Sequence, residues 1–201
     1  KKGQEADFHI ELQLIVDAGF AGFPNAGKSS LLNALTNARA KVASYQFTTL
    51  EPNLGDFYGF ILADIPGLIE GASEGKGLGH KFLRHIARTK LVFHCISLEN
   101  EDIMKAYKTI RGELEAYSPE LAEKKEIIIL TKTDVLTPEQ VDAAVKKMKK
   151  LKKDVLTVTI ADDASVKTFA DKLVAILRAE EKAFATAAEK AALESEGEFK
   201  L

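Results

Sequence analysis

Gly22-Phe23-Pro24-Asn25-Ala26-Gly27-Lys28-Ser29 decides the reading of this 201-residue chain. The stretch closes an apolar run, Ala18 to Gly22, and opens a helical pattern. A strand, a glycine-rich turn and a helix in that order make a phosphate-binding loop. Glycine at both ends of the turn lets the backbone close into a nest of N–H groups. The helix behind adds its positive N-terminal end, so that main chain rather than side chains holds the polyphosphate. Lys28 then reaches the outer phosphates and Ser29 ligates magnesium.

Outward from this loop, apolar runs alternate with helical periodicity. Ala18 to Gly22, Phe60 to Ala63, Leu91 to Leu98, Glu126 to Leu130 and Asp154 to Ile160 read as strands. Ile103, Tyr107, Ile110, Leu114 and Tyr117 recur at spacings of four and three on one helical face, as do Val166, Phe169, Leu173 and Ile176. The alternation predicts an α/β fold with a mostly parallel six-stranded sheet and helices on both faces. Ligands bind such sheets outside the carboxyl ends of the strands.

At 46% hydrophobic and 29% charged residues the composition is that of a water-soluble globular chain with a sizeable core. No apolar run approaches the roughly 20 residues that span a bilayer, and the first residues lack the pattern of a secretory signal. A formal charge of −2 gives no overall attraction to nucleic acid. Cys95 lies inside Leu91-Val-Phe-His-Cys-Ile96, the place of a buried, inert thiol, and a single cysteine forms no disulfide within the chain. A reducing, cytoplasmic setting is the expectation.

Two later stretches carry further chemistry. Asp64-Ile65-Pro66-Gly67 ends a strand, where an aspartate can hold magnesium through water and a glycine N–H can sense the outer phosphate. Between it and Ser29 lies the loop Phe47-Thr48-Thr49-Leu50. A hydroxyl at Thr49 would complete the magnesium shell only while the outer phosphate is present, which makes the loop a switch. Thr131-Lys132-Thr133-Asp134 follows another strand and is the base-recognition candidate. The Asp134 carboxylate accepts two N–H donors from the ring edge of guanine, whereas adenine offers no such pair. Lys132 can lay its methylene stem against the base.

Together these residues resemble the small GTPase superfamily and, more narrowly, the Obg family. The resemblance rests on Asn25 to Ser29, Tyr45 to Gly55, Ala63 to Gly75, Phe82-Leu-Arg-His-Ile86 and Glu113 to Leu121, and covers roughly residues 17 to 178. It implies that Gly22 through Ser29 bind phosphates and that Ser29 and Thr49 ligate Mg2+. Phe47, Thr48, Thr49, Leu50 and Glu51 would form one switch, and Asp64, Ile65, Pro66 and Gly67 the second. Thr131, Lys132, Thr133 and Asp134 would read guanine, aided by Thr159, Ile160 and Ala161. Lys28, Thr49 and Gly67 would act directly in hydrolysis. Residues 1–16 are expected to be a linker or exit strand of an absent N-terminal domain, 17–180 the GTPase domain, and 181–201 a helical extension whose acidic end frays from Glu194 to Glu198. The implied partners are GTP, GDP and the large ribosomal subunit, the last mainly through the absent domain; a monomer without a membrane span is expected.

Three departures from the family pattern stand out. Thr131 replaces the usual asparagine and offers one donor where an amide offers two, so bracing of the phosphate loop should weaken. Ile160 stands in the last guanine motif, which works through a backbone N–H. The connection from Leu54 to Phe60 is shorter than the family pattern, implying a tight hairpin. Apart from these, Leu68 stands where many relatives place a water-orienting glutamine, so unaided turnover should be slow. Asn25 resembles the loop asparagine of potassium-stimulated GTPases, which adds K+ as a candidate ligand, the alternative being that Asn25 only shapes the loop. The rival reading is a module that senses guanine nucleotides with negligible hydrolysis, and a weaker one is an ATPase.

Other features read as structural. Six lysines crowd residues 146 to 153, opposite a buried stripe of Val141, Val145, Met148 and Leu151, which reads first as a solvated helix face, with an RNA contact as the alternative. His80, His85 and His94 show no metal-ligand spacing with Cys95. Glycines 67, 71, 75, 77 and 79 suit a mobile switch loop before a helix over 81–88.

Overall fold

The computed structural model describes residues 16–36, 41–42, 53–65, 89–117 and 119–198. A seven-stranded sheet forms its centre. The strands are β1 (Ala18–Gly22), β2 (Lys41–Val42), β3 (Asn53–Phe57), β4 (Phe60–Asp64), β5 (Leu91–Ser97), β6 (Lys125–Thr131) and β7 (Asp154–Val158). Helices α1 (Lys28–Leu35), α2 (Ile103–Tyr117), α3 (Pro119–Ala122), α4 (Pro138–Lys149) and α5 (Asp163–Glu198) connect or follow them. The sheet order is β2-β3-β4-β1-β5-β6-β7. Six strands form the α/β sheet expected, and the seventh is the two-residue edge segment Lys41–Val42, too short to show a periodicity.

Every pairing among β4, β1, β5, β6 and β7 is parallel. β3 and β4 form the expected tight hairpin, closed by Tyr58 and Gly59, both at positive φ (53° and 87°). That turn suits the right-handed twist of the two strands. Parallel strands covered on both faces are apolar throughout, and all seven residues of β5 are buried.

Alternate residues of the central strands feed two cores. Phe93, Cys95, Ile127 and Ile129 pack with Leu31 and Leu35 of α1 and Phe169, Leu173 and Leu177 of α5. Ile96, Ile128 and Leu130 pack on the other face with Ile103 and Tyr107 of α2 and Met148 of α4. The stripes predicted for these helices therefore face the sheet, although on α5 the contact centres on Leu177 and leaves Ile176 half-buried.

Two ends differ from the sequence reading by more than one residue, while ends of β4, β5 and β6 shift by one. β7 stops at Val158 because the Thr159 N–H donates to Ser165 Oγ at 3.1 Å, which takes it out of the ladder. α5 continues through Glu194 to Glu198 instead of fraying. Alanine, leucine, lysine and glutamate all favour helix, and no proline interrupts them. The expected linker or exit strand over 1–16 lies outside the described residues except for Val16, which is buried against Leu54 and Ala63. The glycine-rich loop and the helix expected over 81–88 also lie outside them.

Candidate nucleotide-binding site

The loop from Gly22 to Gly27 is set by backbone conformations that its residues make possible. Gly22 has φ 153°, and a Cβ there would stand 2.4 Å from the Cys95 carbonyl oxygen. Only glycine allows β1 and β5 to lie that close at their carboxyl ends. Gly27 caps α1 in the left-handed region at φ 85°, and Asn25, with a side chain that tolerates this region, stands at φ 62°.

Lys28 is buried and donates from Nζ to the carbonyls of Gly22 and Phe23, each at 3.1 Å. Its ammonium is thus tethered across the mouth of the loop. Ser29 donates its hydroxyl to Asp64 Oδ2 across 35 residues of sequence. Asp64 is buried, and its other oxygen, Oδ1, has no hydrogen-bond partner among the described residues. A buried carboxylate oxygen left unpaired is costly. Beside a serine hydroxyl at the start of a helix, it is a donor set suited to a hard divalent cation such as Mg2+, which takes oxygen ligands and keeps waters. Ser29 and Asp64 therefore fit such an ion.

Thr131 ends β6, and its hydroxyl donates to the Ala26 carbonyl at 2.8 Å. The weakened bracing expected from this threonine is thus partly offset: the single donor goes to the phosphate loop. Lys132 follows in the left-handed region at φ 57° and pairs with Glu99, holding the Glu99 carboxyl below its usual range. Asp134 accepts from the Thr159 hydroxyl, and that same hydroxyl accepts from the Ala161 N–H at 3.1 Å. The loop behind β7 is therefore tied to the Asp134 carboxylate. Ile160 leaves its side chain half exposed at the wall of a cleft of about 370 Å³, which Asn25, Gly27, Lys28, Ser29, Thr131 and Lys132 also line.

The structure thus brings Gly22, Phe23, Pro24, Asn25, Ala26, Gly27, Lys28, Ser29, Asp64, Ile65, Thr131, Lys132, Thr133, Asp134, Thr159, Ile160 and Ala161 to the carboxyl end of one sheet. Phe47, Thr48, Thr49, Leu50, Glu51, Pro66 and Gly67 lie outside the described residues. Sequence reasoning missed Glu99 as the partner of Lys132 and Ser165 as the stop of β7. Glu99 comes two residues after Ser97, at the end of a strand next to β6, and that position was its only signal.

Cys95, beside the loop, is buried, and burial pushes its thiol up to about 12. It is an inert packing residue at neutral pH.

A family model described as 50S ribosome-binding GTPase matches residues 17–132. Among curated proteins, the GTPase Obg of Pelagibacter ubique is 48% identical over 177 residues, covering 86% of this chain and 54% of the relative. The GTPase Obg of Brachyspira hyodysenteriae is 52% identical over 153 residues, covering 74% of this chain and 22% of the relative. The chain spans about half the length of the first and about a fifth of the second. Among solved structures, a nucleolar GTP-binding protein 1 of Plasmodium falciparum is 17% identical with a TM-score of 0.57, covering 94% of this chain and 98% of the other. The G domain of the T. maritima FeoB iron transporter is 24% identical with a TM-score of 0.53, covering 80% and 98%. At those identities the structures establish the fold.

Proposed function

The chain belongs to the family of 50S ribosome-binding GTPases, and from that premise we propose that it binds GTP and GDP, hydrolyses GTP slowly and switches a partner interaction in assembly of the large ribosomal subunit. One observation carries the reading: Ser29, hydrogen-bonded to Asp64, lines the same cleft as Lys132 and Ile160, the chain neighbours of the Asp134–Thr159 pair. The Ser29–Asp64 pair suits a metal-bound triphosphate and the Asp134–Thr159 pair a base with two N–H donors.

In this reading the loop N–H groups and Lys28 hold the outer phosphates and bear part of their charge. Bound Mg2+ would supply further neutralisation of the phosphate oxygens. Asp64 fixes the Ser29 hydroxyl, and Thr131 keeps the loop from splaying through the Ala26 carbonyl. Water attacks the outer phosphate in line with the leaving oxygen. With Leu68 in place of a water-orienting amide, the attack is poorly positioned and turnover is slow. Asn25, exposed on the cleft wall, is the residue proposed to hold K+. Thr49 and Gly67 are proposed as the groups that sense the outer phosphate and release on hydrolysis.

Calorimetry tests base selection. GDP should bind far more tightly than ADP, and Asp134→Asn should shift preference from guanine toward xanthine nucleotides, because the amide offers a donor where the carboxylate offered an acceptor. Tight ADP binding by the unmodified chain would contradict the assignment.

A further inference from the structure

Lys146, Lys147, Lys149, Lys150, Lys152 and Lys153 fall within eight residues that contain no acid. The whole chain carries −2, so the remainder is acidic at −8 and the positive charge is gathered at one corner. α4 begins behind the carboxyl end of β6 and ends where β7 starts. Its last residues lead toward β7, whose first residue, Asp154, lies at the amino edge of the sheet, and none of the six lysines lines the nucleotide cleft. Met148 is fully buried and fixes this end of the helix to the sheet.

Two of the six lysines are committed within the chain: Lys147 to Asp102 at 3.2 Å and Lys153 to Glu126 at 2.6 Å. Lys146, Lys149, Lys150 and Lys152 are exposed and make no ion pair among the described residues. Lysines in the last turn complement the helix dipole, but Lys152 lies beyond the helix.

We propose that this corner is a contact for the phosphate backbone of RNA, separate from the nucleotide site. The inference rests on reading the chain as directed to the ribosome. The choice of partner follows from what accompanies the lysines. Protein interfaces are depleted in lysine and built on apolar or aromatic anchors, and the exposed large apolar side chains of the described residues, Tyr58, Val135, Ile160 and Phe184, all lie outside this segment. A membrane-surface helix needs a free apolar face, whereas Val141, Val145 and Met148 are turned onto the sheet. Long flexible ammonium groups with no anchor match a backbone of repeated phosphates read without sequence preference.

The test is fluorescence anisotropy of this chain with labelled poly(U), with labelled polyglutamate as the competing acidic polymer, across a salt series. Lys149→Glu with Lys150→Glu should weaken poly(U) binding about tenfold or more and flatten the log–log salt slope by about 1.4, since each single-strand phosphate contact contributes about 0.7. Lys149→Gln with Lys150→Gln should act in the same direction and guards against misfolding of the reversed pair. Lys105→Glu with Lys108→Glu, on α2, should change neither affinity nor slope by more than about one contact's worth. Poly(U) binding that is indifferent to both α4 pairs, or polyglutamate bound as tightly as poly(U), would overturn the proposal. Phosphate release from GTP on the same samples keeps the readings apart: the α4 variants should hydrolyse like the parent, whereas a parent that binds RNA but releases no phosphate would fail the switch reading alone.

Discussion

At the scale of single residues, the site depends on groups whose identity is forced by geometry. Gly22 has a carbonyl oxygen 2.4 Å from where a Cβ would stand. Backbone cannot yield there without parting β1 from β5. Gly22→Ala should therefore destabilise the chain by roughly 2 kcal/mol or more and weaken GDP binding at least tenfold, as read by urea denaturation and calorimetry; unchanged affinity would mean that the loop tolerates a different path. Gly22, Lys28, Ser29 and Asp134 were legible in the sequence because their spacing is local and each is bound to a short motif. The Thr131 hydroxyl was legible only through the family resemblance, which gave it one donor for the phosphate loop; its acceptor, the Ala26 carbonyl 105 residues away, is set by the fold. The same holds for Thr159, whose bond to Asp134 gives the last motif its anchor.

At the scale of elements, α4 shows how local chemistry starts a helix. Thr137 caps it: its N–H donates to Gln140 Oε1 at 2.9 Å, and its hydroxyl accepts from the Gln140 N–H at 3.4 Å. Pro138 occupies the first turn, where its missing N–H costs nothing. Thr137→Ala should cost about 1 kcal/mol in a denaturant titration, with nucleotide affinity unchanged. A loss of affinity would show that α4 transmits strain to Asp134, which ends only three residues before the cap. Helix stripes and strand runs were readable because their periodicity samples many residues. Ends were not, because one side-chain hydrogen bond, such as that of Ser165, settles where a strand stops.

At the scale of the whole molecule, a buried polar knot joins elements from across the chain. The His94 ring donates from Nδ1 to Glu126 Oε1 at 2.7 Å and stacks on Tyr107, with ring centroids 4.9 Å apart. Tyr107, Arg111 and Lys153 all reach Glu126 Oε2. Burial alone would raise the Glu126 carboxyl; the bonds from His94 and Lys153 overcome it and hold the group at about 2, against an ordinary 4.5. A carboxylate lowered on folding contributes stability that is complete above its unfolded value and is lost as pH falls from 4.5 toward 2. Glu126→Gln should cost on the order of 2 kcal/mol near neutrality and should flatten the acid limb of stability in urea midpoints. Parallel acid limbs for parent and variant would contradict the role. An acid and a histidine inside apolar strands were visible in the sequence, but their partners lie on α2 and in the turn before β7, so nothing local announced the knot. The central claim, that this cleft hydrolyses GTP slowly and selectively, is tested most directly by single-turnover phosphate release with magnesium. GTP should yield close to one phosphate per site at about 10⁻⁴ to 10⁻² s⁻¹ while ATP yields none above background; equal release from both, or none from GTP over many hours, would contradict it.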